Sequence, residues 1–197
     1  MNIKKTRYIH QFRRRREAKT DYRLRKRLIL SGLPLFTVRR SNNYIYVNFV
    51  LPEPDGDKTL ANANSKELIK RFEIKSGKNL PAAYLTGLLA GLRAKRKRIK
   101  RAVLNLGPAW PTRASIPFAA VQGAVEAGID IPIGDEAKVD HERIRGEHIA
   151  SYAKLLEERE PDKFKERFSN YLEAKFDPKT LPERFDEIRE ALLKETE

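Results

Sequence analysis

The sequence predicts an α/β fold, a mixed sheet in the order βββαβα with helices packed on it. Three observations predict this. Residues 35–64 read as strands divided by turn signals, and within Tyr44–Leu51 apolar and polar side chains alternate at the two-residue period of strands. Residues 80–98 follow with helical periodicity, then a short β-prone run at 101–106, so the chain makes a strand–helix–strand crossover. A second helical stretch, 115–127, closes the unit. A basic arm with a short helix (1–30) precedes this core (31–134), and a helical C-terminal extension (135–197) follows it.

Each element has a local cause. Arg23–Leu30 reads as a short helix ending at Gly32, the residue type favoured just past a helix end. Upstream of Thr20 the arm has few apolar groups, and its order is expected to come from a partner. Leu35–Val38 is a strand after Pro34, and Ser41-Asn42-Asn43 is a turn. In the strand Tyr44–Leu51, the apolar Ile45, Val47 and Phe49 alternate with Tyr44, Tyr46 and Asn48. Pro52–Asp57 turns into a third strand, Lys58–Ala63, completing an antiparallel meander. Leu80–Arg98 is a helix with Pro81 in its first turn and a buried stripe of Tyr84, Leu85, Leu88, Leu89 and Leu92. Ala82, Ala83, Gly87, Ala90 and Gly91 are expected to let it pack closely on the sheet. Arg101–Leu106 is expected as a buried strand, parallel to a meander strand through a right-handed connection. Ser115–Ala127 is a helix with Phe118, Val121 and Val125 inward, ended by Gly128. Val139–Arg159 reads as one helix broken by Pro161; Phe164, Phe168, Tyr171 and Leu172 mark another, and Pro182–Lys194 the last.

Charge narrows the function. Of the net +14 on 197 residues, the first thirty carry 12 Lys and Arg against 2 acids. Residues 81–113 add 8 cations and no acid, whereas 114–150 carry 3 against 7 and 151–197 carry 10 against 13. Cations so dense repel one another unless a polyanion neutralises them, and nucleic acid does so with release of its condensed counterions. The alternatives are a solvated tail or a nuclear-import signal, but the second basic block favours nucleic acid. No Cys is present, which excludes disulfides, thiolate metal sites and Cys catalysis; a single Met and two Gln also suit a thermophile. The N-terminus lacks the apolar segment of a secretory signal, and the longest mostly apolar run, Leu80–Leu92, is too short to span a bilayer. A soluble intracellular protein is expected.

Enzyme readings fail residue by residue. His141-Glu142-Arg143-Ile144-Arg145 misses the H-E-x-x-H zinc pattern at its fifth position, and His148 offers at most a second ligand on one helix face. Asp55-Gly56-Asp57 could be a nuclease's acidic pair, but its place between two strands is that of a hairpin turn. No phosphate-cradling G-x-x-x-x-G-K-[ST] segment occurs. More informative is Arg39-Arg40-Ser41-Asn42-Asn43-Tyr44-Ile45-Tyr46, which sets two guanidiniums, three small polar side chains and two aromatics around one hairpin. Arg grips phosphate with paired donors, Asn bonds base edges and Tyr stacks on unpaired bases. The loop Leu106–Arg113 presents Trp110, Thr112 and Arg113 just before a helix N-terminus, which suits phosphate or a stacked base; Trp110 could instead close the core.

Three segments carry a resemblance to a known family: Arg39–Tyr46, then Gly56-Asp57-Lys58-Thr59-Leu60-Ala61, then Ala114–Gly128. In order and spacing they resemble the R-S-N-x-x-I-Y, G-x-K-T-L-A and A-x-x-A-x-E-A-G-like segments of large ribosomal subunit protein eighteen, the 5S ribosomal RNA binder. The likeness covers about Thr20–Gly134, and Gly146–Ala153 looks like the extension of the archaeal and eukaryotic branch. Compact size without a long tail looks archaeal. The loop Gly107–Arg113 departs from the bacterial pattern, which has a Gly-Gly-aromatic run there. The resemblance implies a structural role in the cytoplasmic ribosome, with no cofactor, metal or turnover: holding 5S rRNA against the large-subunit rRNA in the central protuberance. Phosphate contacts would fall to Arg13, Arg14, Arg15, Arg16, Lys19, Arg23, Arg25, Lys26 and Arg27, joined by Lys4, Lys5 and Arg7 near the start. Hairpin readout would fall to Arg39, Arg40, Ser41, Asn42, Asn43, Tyr44 and Tyr46. Lys95, Arg96, Lys97, Arg98, Trp110, Thr112 and Arg113 form a second tier, and the acidic C-terminal helices would meet neighbouring ribosomal proteins or solvent. The competing class is an RNA-processing nuclease on a similar α/β scaffold.

Overall fold

The structure, a computed structural model, describes residues 10–74, 76–173 and 176–195; the arm cations Lys4, Lys5 and Arg7 lie outside them. A single helical turn, α1 (Arg13–Arg16), and α2 (Tyr22–Leu30) lead into the sheet. Strands β1 (Leu35–Arg40), β2 (Ile45–Glu53) and β3 (Gly56–Asn64) form the antiparallel meander, and β4 (Val103–Asn105) pairs parallel to β1. The sheet order is β3-β2-β1-β4.

Alternation decides which face is covered. Ile45, Val47 and Phe49 are fully buried, and Phe36 and Val38 stand opposite Phe49 and Val47 on β1. Against this face lies α4 (Leu80–Arg96), whose start is fixed by the Asn79 side chain accepting from the Ala82 amide at 2.9 Å. Helix α4 is buried on nearly every side, because α5 (Ile116–Glu126) covers its other flank. The two helices meet backbone to backbone. A Cβ on Gly87 would come within 2.0 Å of the Ala120 carbonyl oxygen, and one on Gly123 within 2.1 Å of that of Tyr84.

This contact corrects several sequence expectations. The glycines of α4 serve the approach of α5, not of the sheet. In α5 the inward stripe runs through Ala120, Gly123, Ala124 and Ala127, so Phe118 and Val121 are buried but Val125 is 43% exposed. Strand β4 spans three residues and is half-buried because it forms a sheet edge. A helix absent from the sequence reading, α3 (Ser65–Phe72), follows β3, capped by Asn64 accepting from the Lys66 amide at 2.9 Å. The stretch 139–159 is two helices, α6 (His141–Arg145) and α7 (Glu147–Arg159), separated by Gly146 at φ +86°. His141 and His148 therefore share no helix.

Pro161 opens α8 (Pro161–Arg167) at its first position, and α9 (Ser169–Glu173) continues beyond Phe168. Leu156, Phe164 and Phe168 bury a small separate cluster. The last helix, α10 (Leu181–Lys194), returns to the main core with Phe185, Ile188 and Leu192, the Phe185 ring lying 5.6 Å from that of Tyr84.

Candidate nucleic-acid interface

The sheet face opposite α4 is polar, and strand pairing arranges it in rows. Asn62, Asn48, Thr37 and Asn105 stand side by side across all four strands. In the next row Asn64, Tyr46 and Arg39 are neighbours, and in the row on the other side Thr59, Val50 and Leu35. Tyr46 is 39% exposed. Arg39 lies back along the sheet and donates from Nη1 to the carbonyls of Val38 and Asn105, each at 2.9 Å. It pairs with no carboxylate among the described residues, and partial burial pulls its pKa below the ordinary arginine value. Gly107 opens the following loop hard against this guanidinium.

Beside this face sits the arm. Asp21 caps α2, accepting from the Arg23 and Leu24 amides at 2.9 and 3.2 Å. Tyr22, Arg25 and Leu28 are half-buried along one stripe of α2. Arg25 grips Asp57 at the start of β3 with both terminal nitrogens, Nη1 to Oδ2 at 3.0 Å. That pair fastens α2 to the sheet and raises the Arg25 pKa, chiefly through the hydrogen bond to Asp57. It also occupies the carboxylate that a nuclease reading would have needed, while Asp55 sits at the hairpin tip. In the arm Arg14 Nε donates to Thr20 Oγ1 at 2.8 Å, and Lys19 and Arg13 hold the Glu17 carboxyl below its ordinary pKa. Arg15, Arg16, Arg23, Lys26 and Arg27 are exposed and meet no acid among the described residues.

The β1–β2 turn is built by Ser41, whose Oγ accepts from the Tyr44 amide at 2.9 Å and donates to its carbonyl at 3.0 Å. Arg40, Asn42 and Asn43 are left exposed around it. Tyr44 is half-buried, with Lys66 Nζ 5.9 Å from its ring centre. Trp110 is 88% exposed and so does not close the core. In the same loop the Thr112 amide donates to the Trp110 carbonyl at 2.9 Å, and Arg113 pairs with Glu136 at 2.7 Å. At the end of α4, Arg96 donates to the Glu195 carbonyl at 2.7 Å, and Lys95, Lys97 and Arg98 form no ion pair among the described residues.

Arg14, Lys19, Arg25, Arg39 and Gly107 therefore converge on one cleft. The α4 terminus and Trp110 do not line it. Thr37, Asn62 and Asn105 were not singled out from the sequence. The strict Ala61-Asn62-Ala63-Asn64 alternation was a usable signal for Asn62, whereas Asn105 joins the row only through the parallel pairing of β4.

Residues 6–100 match the family described as ribosomal large subunit proteins 60S L5, and 50S L18. Large ribosomal subunit protein uL18 of Staphylothermus marinus is 46% identical over 190 residues, 96% of this chain and 94% of that one. The chain belongs to the uL18 family. Family members from Desulfurococcus amylolyticus (48% identical; 95% of each chain) and Aeropyrum pernix (45%; 94% of this chain and 87% of that one) match it equally along its length. Members of the uL18 family are structural proteins of the large ribosomal subunit in the cytoplasmic ribosome, so the chain is not an enzyme.

Proposed function

We propose that the protein binds 5S rRNA and fastens it to the large-subunit rRNA in the central protuberance. The observation that carries this reading is the polar sheet face with its unpaired Arg39, flanked by an arm whose cations Arg15, Arg16, Arg23, Lys26 and Arg27 meet no acid among the described residues. Charge neutralisation by the arm supplies affinity, and the sheet face with the hairpin supplies recognition of unpaired bases. In this assignment residues 1–30 are the arm, 31–134 the RNA-binding core, and 135–197 the extension that meets neighbouring ribosomal proteins. Arg13 to Arg16, Lys19, Arg23, Lys26 and Arg27 contact phosphate. Asn42, Asn43, Tyr44 and Tyr46 read bases, while Arg25 and Ser41 act mainly by holding α2 and the hairpin in place.

Footprinting of 5S RNA with and without the protein tests this directly. A protected region that disappears as salt rises is the expected result. With about 6–10 phosphates contacted, affinity falls ~10³-fold or more between 50 and 200 mM salt on the duplex-DNA scale, less steeply for folded RNA. Binding unchanged over that interval refutes an electrostatic mechanism.

A further inference from the structure

The arm and the open sheet face enclose a cleft of about 280 Å³. Its volume equals that of about nine liquid waters, room for one nucleotide and not for a duplex. Two carboxylates line it, Asp21 engaged in capping α2 and Asp57 paired with Arg25, and three further kinds of group meet in it. Arg39, Arg14 and Lys19 bring positive charge from opposite sides. Asn48 and Asn105 bring amides from the same row, on strands β2 and β4 to either side of Thr37. Leu24 from α2 and Val50 from β2 bring aliphatic flanks.

Two of these groups, Arg39 and Asn105, can take a further partner. Arg39 has no carboxylate partner among the described residues, and a bound anion would supply a charged acceptor for its free donors. The Asn105 Oδ1 is used by the Gly107 amide at 2.9 Å, which turns its NH₂ into the available donor. The walls are held at a fixed separation, because Arg25 and Asp57 bind α2 to β3 at the cleft's edge.

The geometry points to a seat for one unpaired RNA nucleotide, its phosphate on Arg39, its base between Leu24 and Val50, and the base edge on Asn48 and Asn105. This rests on the RNA-binding reading above and adds a site to it. Such a seat would give sequence or shape discrimination that the solvent-facing arm cannot, since phosphate contacts position and base contacts specify.

The test is a pair of variants probed by base-specific chemical footprinting on 5S RNA and on large-subunit rRNA. Thr59→Phe at the rim keeps every cation and the strand propensity of β3 while filling the cleft. Thr59 is exposed, so melting within about 2 °C of wild type is expected. Arg39→Gln removes the cation on the sheet face and provides the answer if the first variant does not fold. Wild-type protein is expected to protect one base that Thr59→Phe leaves reactive, with affinity down at least tenfold and the salt slope unchanged. Arg39→Gln is expected to lose the same protection and to lower the slope by up to about one unit. A folded variant of either kind that binds with wild-type affinity and footprint overturns the seat while leaving RNA binding by the arm intact. Wild-type protein that binds neither RNA overturns both readings. Free mononucleotides separate the source of the ligand: millimolar or weaker binding, displaced by RNA, supports an RNA-borne nucleotide, and micromolar binding that RNA does not displace overturns it.

Discussion

At the scale of the residue, Tyr44 and Tyr46 show how one alternation yields two different side chains. Both were expected to offer a stacking face. Tyr46 stands in the open row between Asn64 and Arg39, 39% exposed, with its ring free of aromatic or cationic neighbours among the described residues. Tyr44 is half-buried under Lys66. Stacking on a base is worth about 1–3 kcal/mol, so Tyr46→Leu should weaken 5S RNA binding by roughly five- to 150-fold, with no change in salt slope since no cation is lost. Tyr44→Leu should cost less. Arg40→Ala should instead lower the slope by up to about one unit. A salt titration of the three variants separates stacking from charge, and wild-type affinity in Tyr46→Leu assigns that ring to solvent. Trp110, 88% exposed, gives the matching stability control. Its replacement by Ala should move stability by no more than about 0.5 kcal/mol, measured by thermal melting, because the ring covers no core.

At the scale of the element, the sheet was legible because strands with one wet face announce themselves by alternation, and the register of β1 with β2 follows from it. The start of α4, with Pro81 in its first turn, and the break at Gly128 were legible in the same local sense. Helix α3 was missed although Leu68, Ile69 and Phe72 fall at helical spacing, because eight residues directly after a strand hold only about two turns of that period. The cleft was illegible for another reason: it joins Arg14, Arg39 and Gly107 from three separate segments, and no local pattern encodes their meeting. Gly87 and Gly91 of α4 were read correctly as signs of close packing but assigned to the wrong neighbour, since composition reports closeness and not partner. That neighbour can be tested. A methyl group on Gly123 meets the Tyr84 carbonyl and the Leu88 amide, both backbone atoms that cannot rotate aside. Gly123→Ala should therefore force α5 from α4 and cost about 3 kcal/mol or more, lowering Tm by roughly 6–12 °C. Gly134→Ala, where a Cβ meets open space, should leave Tm unchanged in the same melting experiment.

At the scale of the whole molecule, charge and packing divide the chain differently. The charge boundary falls after the arm and again near residue 113, with most of the acidic residues beyond it. The packing boundary does not follow it, since α10 supplies Phe185, Ile188 and Leu192 to the same core as the sheet. Polar ties reinforce that docking: Arg189 Nε donates to Glu126 at 2.6 Å, Tyr84 bonds the same carboxylate, and Arg71 pairs with Glu195. The two chain ends should thus respond in opposite ways to truncation. Removing residues 1–19 deletes α1, which buries nothing, together with eight of the arm's cations, Lys4 and Lys5 among them. The shortened protein should keep a cooperative melt while losing RNA affinity and much of its salt dependence. Removing residues 181–197 strips three apolar side chains from the core, each worth about 1.5–3 kcal/mol when buried. The total, roughly 5–9 kcal/mol, is comparable to the whole stability of a domain, so the cooperative transition should disappear although every arm cation remains. Thermal melting and RNA binding on the two truncations decide it. A cooperative melt after removal of α10 would show that the extension folds apart from the core, and loss of the melt after removal of the arm would make the arm part of it.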